Sequence, residues 1–215
     1  MKEATTGEMT TLDPSLQNPQ DIYKLLGWGR GSAPHRVRFF DGCGGRTQSC
    51  PFQLFSVASA NPPIACFCPM MQGATGTSLQ PTKDTLCNII ATREFVVNIV
   101  SEEFATQLNA CSAELPPEVD EFRVSGLTPL ASDLVRPLCV AESHVQMKCR
   151  LQRVVHVSAG PMGGKLVLGE VLRFHVRKSL LNNFRIGPDK LHAIGRMAGF
   201  TYMRTRDRFD MERPK

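Results

Sequence analysis

Four apolar runs carry the strand pattern of this chain: 64–68 (IACFC), 95–100 (FVVNIV), 144–157 (HVQMKCRLQRVVHV) and 166–176 (LVLGEVLRFHV). All are rich in β-branched and apolar residues, as strands require. In 144–157 the alternation is regular. Val145, Met147, Cys149 and Leu151 fall on one face, and Gln146, Lys148, Arg150 and Gln152 on the other. The loop 158–165 holds Gly160, Pro161, Gly163 and Gly164, so the last two runs are predicted to form an antiparallel hairpin. Helices punctuate the pattern. Asp84-Thr85 can cap a helix over 86–92, and Ser101 with Glu102-Glu103 starts one over 101–111. A third, short helix is read over 188–194. Several short strands with few helices between them predict a closed barrel of antiparallel strands rather than a doubly wound sheet.

Composition bounds this picture without changing it. A length of 215 residues suits one domain with an extension, and 42% apolar content can fill a sizeable core. No run approaches the roughly 18 apolar residues of a membrane helix. The opening residues, MKEATTGEMTTLDPSLQNPQ, are polar and lack the apolar stretch of an export signal. Residues 1–20 are therefore read as a flexible leader, 21–215 as the domain, and a cytoplasmic location is expected. The net charge of +5 is dispersed, with no Lys/Arg run interleaved with aromatics, so nucleic acid is not an expected partner, and neither is a membrane. The arginine-rich tail 204–213 also carries Asp207, Asp210 and Glu212 and reads as a self-paired surface.

The eight cysteines include no CxxC pair. Cys66 and Cys68 point to one face of a strand, but no His follows at ligand spacing. Packing is the reading, with reduced thiols and no metal. The histidines lack a Ser or Cys partner pattern, and neither paired carboxylates nor HExxH occurs, so cofactor-borne chemistry fits better than a side-chain reaction.

Two segments offer binding chemistry. In QLFSVASAN, residues 53–61, the side chains of Ser56, Val57, Ala58, Ser59 and Ala60 are small enough for a ligand to approach the backbone. An ordinary strand-to-loop crossing has the same composition. Thr82-Lys83-Asp84-Thr85 combines hydroxyls, a cation and the N–H groups of a following helix, which suits an anion or a plain cap.

The order of the pieces QLFSVASANPPIACF, KDTLCNIIATREFVVNIV, NACSAELPPEVDEFRVSGLTPL, ESHVQMKCRL, LVLGEVLRFHV and GRMAGFTYMRTRDRF resembles the flavin reductase-like family over roughly residues 21–209. The resemblance implies a mainly β fold: an FMN-binding split β-barrel of antiparallel strands with a few short helices, assembled as a homodimer. It implies FMN as cofactor and NADH or NADPH as electron donor. A small-molecule acceptor or a redox partner protein takes the electrons. The cofactor-binding candidates are Gln53, Ser56, Val57, Ala58 and Ser59 for the ring, Thr82, Lys83 and Thr85 for the phosphate, Asn88 for the ribityl chain, and Arg196, in Arg196-Met197-Ala198-Gly199, for the flavin or a substrate anion. Asn109, Ser112 and Asp120-Glu121-Phe122 are read as fold determinants. No catalytic side chain is implied, and the chain has no GxGxxG fingerprint for the nicotinamide.

One stretch departs from the resemblance. Residues 27–50, GWGRGSAPHRVRFFDGCGGRTQSC, are poor in β-branched residues and hold four arginines against one aspartate, +3 of the chain's +5. Codons compatible with this segment, read one nucleotide later, spell a run containing APRPIAFVSST and ending in GRNLAP. Joined to DIYKLL before and FQLF after, that run resembles the family's first strand and proline loop. The reading is a compensated frameshift in the gene or its record. The chain as written then carries a first strand with less apolar area, and a loss of two or three buried aliphatics costs several kcal/mol at about 1.5–3 kcal/mol each.

Overall fold

Strands dominate the chain because its apolar residues recur at period two, and the core lies where those faces meet. The computed structural model describes residues 7–26, 37–43, 46–52, 55–69, 84–111, 119–158, 163–197, 200–212 and 214, with 37–43, 46–52 and 84 described by backbone only. In chain order the elements are β1 (Met9–Leu12), α1 (Pro19–Leu26), β2 (Val37–Cys43), β3 (Arg46–Phe52), β4 (Phe55–Ala60), β5 (Pro63–Phe67), α2 (Asp84–Thr92) and β6 (Glu94–Ile99). They continue with α3 (Ala105–Ala110), α4 (Glu121–Ser125), β7 (Pro129–Leu130), β8 (Cys139–Val140), β9 (Val145–His156) and β10 (Lys165–Arg177). The C-terminal part holds β11 (Leu181–Asn182), β12 (Arg185–Ile186), α5 (Pro188–Leu191), β13 (Ile194–Arg196) and β14 (Tyr202–Arg204).

The main sheet has eight strands in the order β3-β2-β6-β9-β10-β5-β4, with β1 paired to β10. Every pairing in it is antiparallel. The mainly β class with few short helices is as expected. Closure is not seen among the described residues: β3 and β4 end the sheet without pairing to each other.

The β9–β10 hairpin forms as its alternation predicts, with Val176 opposite Val145 and Lys165 opposite His156. The polar leader differs from expectation. Met9–Leu12 pairs with β10, Met9 opposite Arg177 and Leu12 opposite Phe174. Backbone hydrogen bonds hold it there, and they are blind to side-chain polarity. The helix expected over 101–111 is split into a 3₁₀ turn, Glu102–Phe104, and α3. The helix expected over 188–194 stops at Leu191, where His192 takes a left-handed conformation (φ 49°).

The largest core cluster joins α1 (Ile22, Leu25, Leu26), α2 (Leu86, Ile89) and the inner faces of β5, β6, β9 and β10. Phe67 and Phe95 meet edge to face there, with ring centroids 5.4 Å apart. On the outer face of the sheet, residues 128–140 cover Asn98, Gln146 and Lys148, which are all buried. Asn98 Oδ1 accepts a hydrogen bond from the Val140 N–H (3.0 Å), and Gln146 Nε2 donates to the Val140 carbonyl (2.8 Å). The first half of the polar face of β9, Gln146 and Lys148, is thus an inner surface matched by polar partners, while Arg150 and Gln152 stay exposed.

Candidate functional site

Strand β4 presents the small-residue segment. Among the described residues it pairs only with β5, and its other edge carries no ladder there. The register slips between Val57 and Ser59: Val57 faces Ala65 and Ser59 faces Ile64, leaving Ala58 as the extra residue of a bulge. Ser56 and Ala58 are exposed, while Val57 is half-buried against the core. Ser59 Oγ accepts from the Asn61 N–H (3.2 Å) and so tightens the turn into β5. The Asn61–Pro62 peptide in that turn is cis. A bulge at an edge re-aims main-chain groups away from the ladder, and the exposed side chains beside it, Ser56 and Ala58, are small.

Helix α2 presents the second group. It begins at Asp84, two residues ahead of the expected start, and Thr85 is buried in its first turn. Asn88, one turn on, is half-buried, and its carbonyl accepts from Thr92 Oγ1 (2.8 Å). The helix packs on β2, β3 and β6. Gln53, Thr82 and Lys83 lie outside the described residues, as do Ser112 and 27–36.

Arg196 belongs to a third element. It is half-buried on β13, opposite Tyr202 on β14, whose hydroxyl reaches Asn109 Oδ1 (3.4 Å). This hairpin is tied to the end of β6 through the Ser101–Ala193 bridge and the hydrogen bond from the Ile194 N–H to the Val100 carbonyl (3.2 Å). The candidates therefore stand on three elements: the β4 edge, the start of α2 and the β13–β14 hairpin.

The charged tail is organised differently from expectation. Arg204 and Arg206 both bind Glu102, each at 2.9 Å, and Arg208 pairs with Asp189. Burial pushes the Glu102 carboxyl up, but the two guanidinium groups outweigh it and hold it below the usual range. Arg204, Arg206 and Arg208 thus fasten the tail to the domain.

Two ionic clusters, each joining a buried basic side chain to an exposed carboxylate, were not visible as sites in the sequence. His144 Nε2 lies 3.1 Å from Glu103 Oε2 at the start of β9, with only 3% of its side chain exposed. Asp133 gathers three basic side chains, Arg173 at 2.8 Å, His175 at 3.5 Å and Lys148 at 3.7 Å. Burial lowers the Lys148 ammonium below its usual value, with the neighbouring Cys139 and Asp133 pulling it back up. The alternation of β9 marks Lys148 as polar, but the residue that pairs with it comes from a separate loop.

The family model described as flavin reductase like domain matches residues 37–199. A protein of Halalkalibacterium halodurans is 30% identical over 211 residues, 94% of this chain and 96% of that protein. The structure of nitrilotriacetate monooxygenase component B from Bacillus cereus superposes with a TM-score of 0.75 at 30% identity, covering 95% of this chain and 99% of that one. The FMN-binding domain of a flavin reductases-like enzyme from Shewanella baltica shares the fold, with a TM-score of 0.70 at 12% identity over 96% of this chain and 98% of that one. The matched span runs from β2 through the β13 strand that carries Arg196, and on this ground the chain belongs to the flavin reductase-like domain family.

Proposed function

We propose that this chain is an FMN-binding oxidoreductase that accepts a hydride from NADH or NADPH and passes electrons to free flavin or another small acceptor. The observation that carries the reading is the bulged β4 strand, a row of small side chains with Ser56 and Ala58 exposed, in a chain of this family. FMN has a flat ring, a polar ribityl chain and a dianionic phosphate. The Ser56–Ser59 backbone suits the rim of the ring, with Gln53 at its start. Thr82, Lys83 and Thr85 with the first N–H groups of α2 suit the phosphate, since a helix start attracts anions. Asn88 supplies an amide toward the ribityl chain, and Arg196 a cation for the flavin or a substrate anion. These residues bind and orient. The flavin, when bound, supplies the two-electron redox chemistry.

A homodimer belongs to the same reading. Phe200, Phe209 and Met211 are strongly exposed around the C-terminal hairpin and tail, apolar area that a second copy would cover. Likeness to a monooxygenase component favours a redox partner protein as the final acceptor. Among the described residues no helix is long and apolar enough to cross a membrane, and a cytoplasmic location is part of the proposal.

The test is the visible spectrum of the purified protein, chromatography of the released flavin, and anaerobic mixing with NADH and NADPH. One FMN per chain, bleached by either nicotinamide, is the expected result. Bound flavin that bleaches only with a reduced protein partner would make the chain a flavoredoxin-like electron carrier. A folded protein that rejects added FMN would make it a non-catalytic member of the fold.

A further inference from the structure

Cys66 and Cys68 have no part in the reading above. Cys66 lies in β5 and Cys68 is the first residue after the strand ends at Phe67. Residues two apart in an extended chain project to one side of the sheet. That side is opposite the core, because Ala65 and Phe67, which alternate with them, belong to the main core cluster. Both thiols are free and partly exposed. Cys66 stands directly across from Ser56 on β4, an exposed residue of the sheet's end strand. The two thiols also sense each other. Burial raises the Cys66 thiol first, the neighbouring Cys68 raises it further, and the Ser56 backbone offsets part of this. Burial alone raises Cys68.

Geometry selects among the things two such thiols can do. Among the described residues no group of three or more His, Cys, Asp or Glu side chains could hold a metal ion, so a four-coordinate zinc site is not offered. A direct disulfide is disfavoured too. Positions two apart on a strand are about 6.6–6.8 Å apart at Cα, the outer limit for a bond that brings the sulfurs to about 2.05 Å. A bridging ion relaxes that demand. Two metal–sulfur bonds of about 2.3 Å separate the sulfurs by up to about 4.6 Å. Thiolates also select soft ions over hard ones.

We propose that Cys66 and Cys68 form a two-coordinate bis-thiolate site for a soft, thiophilic monovalent cation of the copper(I) type. Binding breaks two S–H bonds, forms two metal–sulfur bonds and releases two protons per cation, with no electron transferred. The site opens beside β4 and does not depend on the flavin reading.

The experiment uses the full chain, reduced and under anaerobic conditions, titrated with copper(I) against bicinchoninate. Phenylarsine oxide, which needs two thiols within reach of one arsenic, is added in parallel and read by intact mass. The expected result is one tight copper(I) per chain, two protons released on binding, and one arsenical adduct. Cys66→Ser and Cys68→Ser each lower copper(I) affinity by about 100-fold or more, as expected when two ligands cease to act in one molecule, and remove the adduct. Cys87→Ser, at an exposed thiol away from β5, changes neither. Cys66→Ala and Cys68→Ala repeat the test, with circular dichroism verifying the fold. Copper(I) binding that survives both serine changes, that releases one proton, or that disappears with Cys43→Ser or Cys50→Ser instead would overturn the proposal.

Discussion

A Cβ built on Gly169 would lie 2.2 Å from Cζ of Phe95, inside the ring's own contact distance. The two residues sit on different strands, β10 and β6, and the fully buried Phe95 ring occupies the space a side chain at 169 would need. A register shift between Leu168 and Gly169 marks the same place. Gly169→Ala therefore requires the ring or the strand to move, in a core that has no slack. The expected destabilisation is about 1–3 kcal/mol, seen as a lower urea midpoint with an unchanged slope. Gly164→Ala is the control: nothing lies within 4 Å of its Cβ position, so its midpoint should stay within about 0.5 kcal/mol of the parent.

The β9–β10 hairpin was legible because thirteen residues of β10 and twelve of β9 carry an apolar face of period two. What covered the other face was not legible. Alternation separates Gln146 and Lys148 from Val145 and Met147, but it carries no information about Val140 or Asp133, which arrive from a distant loop. The same limit applies to the site. Small residues at 56–60 say that backbone can be approached. They do not say that β4 ends the sheet or that Ala58 is a bulge, which depend on the register against β5. The polar segment at Met9–Leu12 reads as a leader in the sequence because its pairing is made by main-chain groups common to every sequence.

Asn98 should report on how residues 128–140 are fastened. Its Oδ1 is the acceptor for the buried Val140 N–H, and an alanine leaves that donor without a partner. The expected loss is about 1–3 kcal/mol, the cost of an unsatisfied buried group. Because Gln146 still holds the Val140 carbonyl, the effect should be concentrated at one amide. Faster hydrogen exchange at Val140, with the β9–β10 amides still protected, is the outcome to look for.

Acid should weaken the fold in two stages. His144 is lowered chiefly by burial, and further by Arg177 and His192, against an opposing pull from Glu103. His175 is lowered by burial and by Lys148 and Arg173, against Asp133. The unfolded chain takes up these protons near pH 6.5 while the folded chain resists them, so stability falls as pH drops through that value and levels off below the lowered folded values. Asp133 acts later. Burial raises its carboxyl, but Arg173 and Lys148 outweigh this and hold it low. Its contribution is present above the ordinary carboxylate value and is lost as pH falls through the folded one. Urea midpoints measured from about pH 7 to pH 3 should show both declines. His144→Gln should flatten the first and Asp133→Asn the second; unchanged profiles in both variants would exclude these groups as the cause.

The segment at residues 27–50 offers the last prediction. In the described structure β2 pairs along β6, with Val37 opposite Ile99, Arg38 opposite Asn98, Phe39 opposite Val97 and Phe40 opposite Val96. The run APRPIAFVSST, available one nucleotide later, replaces Arg36, Val37 and Arg38 with Ala, Phe and Val, brings an isoleucine in at His35, and puts serines at Phe39 and Phe40. A chain carrying the shifted run over 27–50 is expected to unfold at a higher urea concentration, by several kcal/mol if two aliphatics are newly buried at about 1.5–3 kcal/mol each. It should also retain FMN at least as well as the chain as written. Clean coding-strand reads that match the written frame, together with an intact mass equal to that of the written chain, would show the segment to be genuine. The stability comparison would then measure what this variant first strand costs the fold.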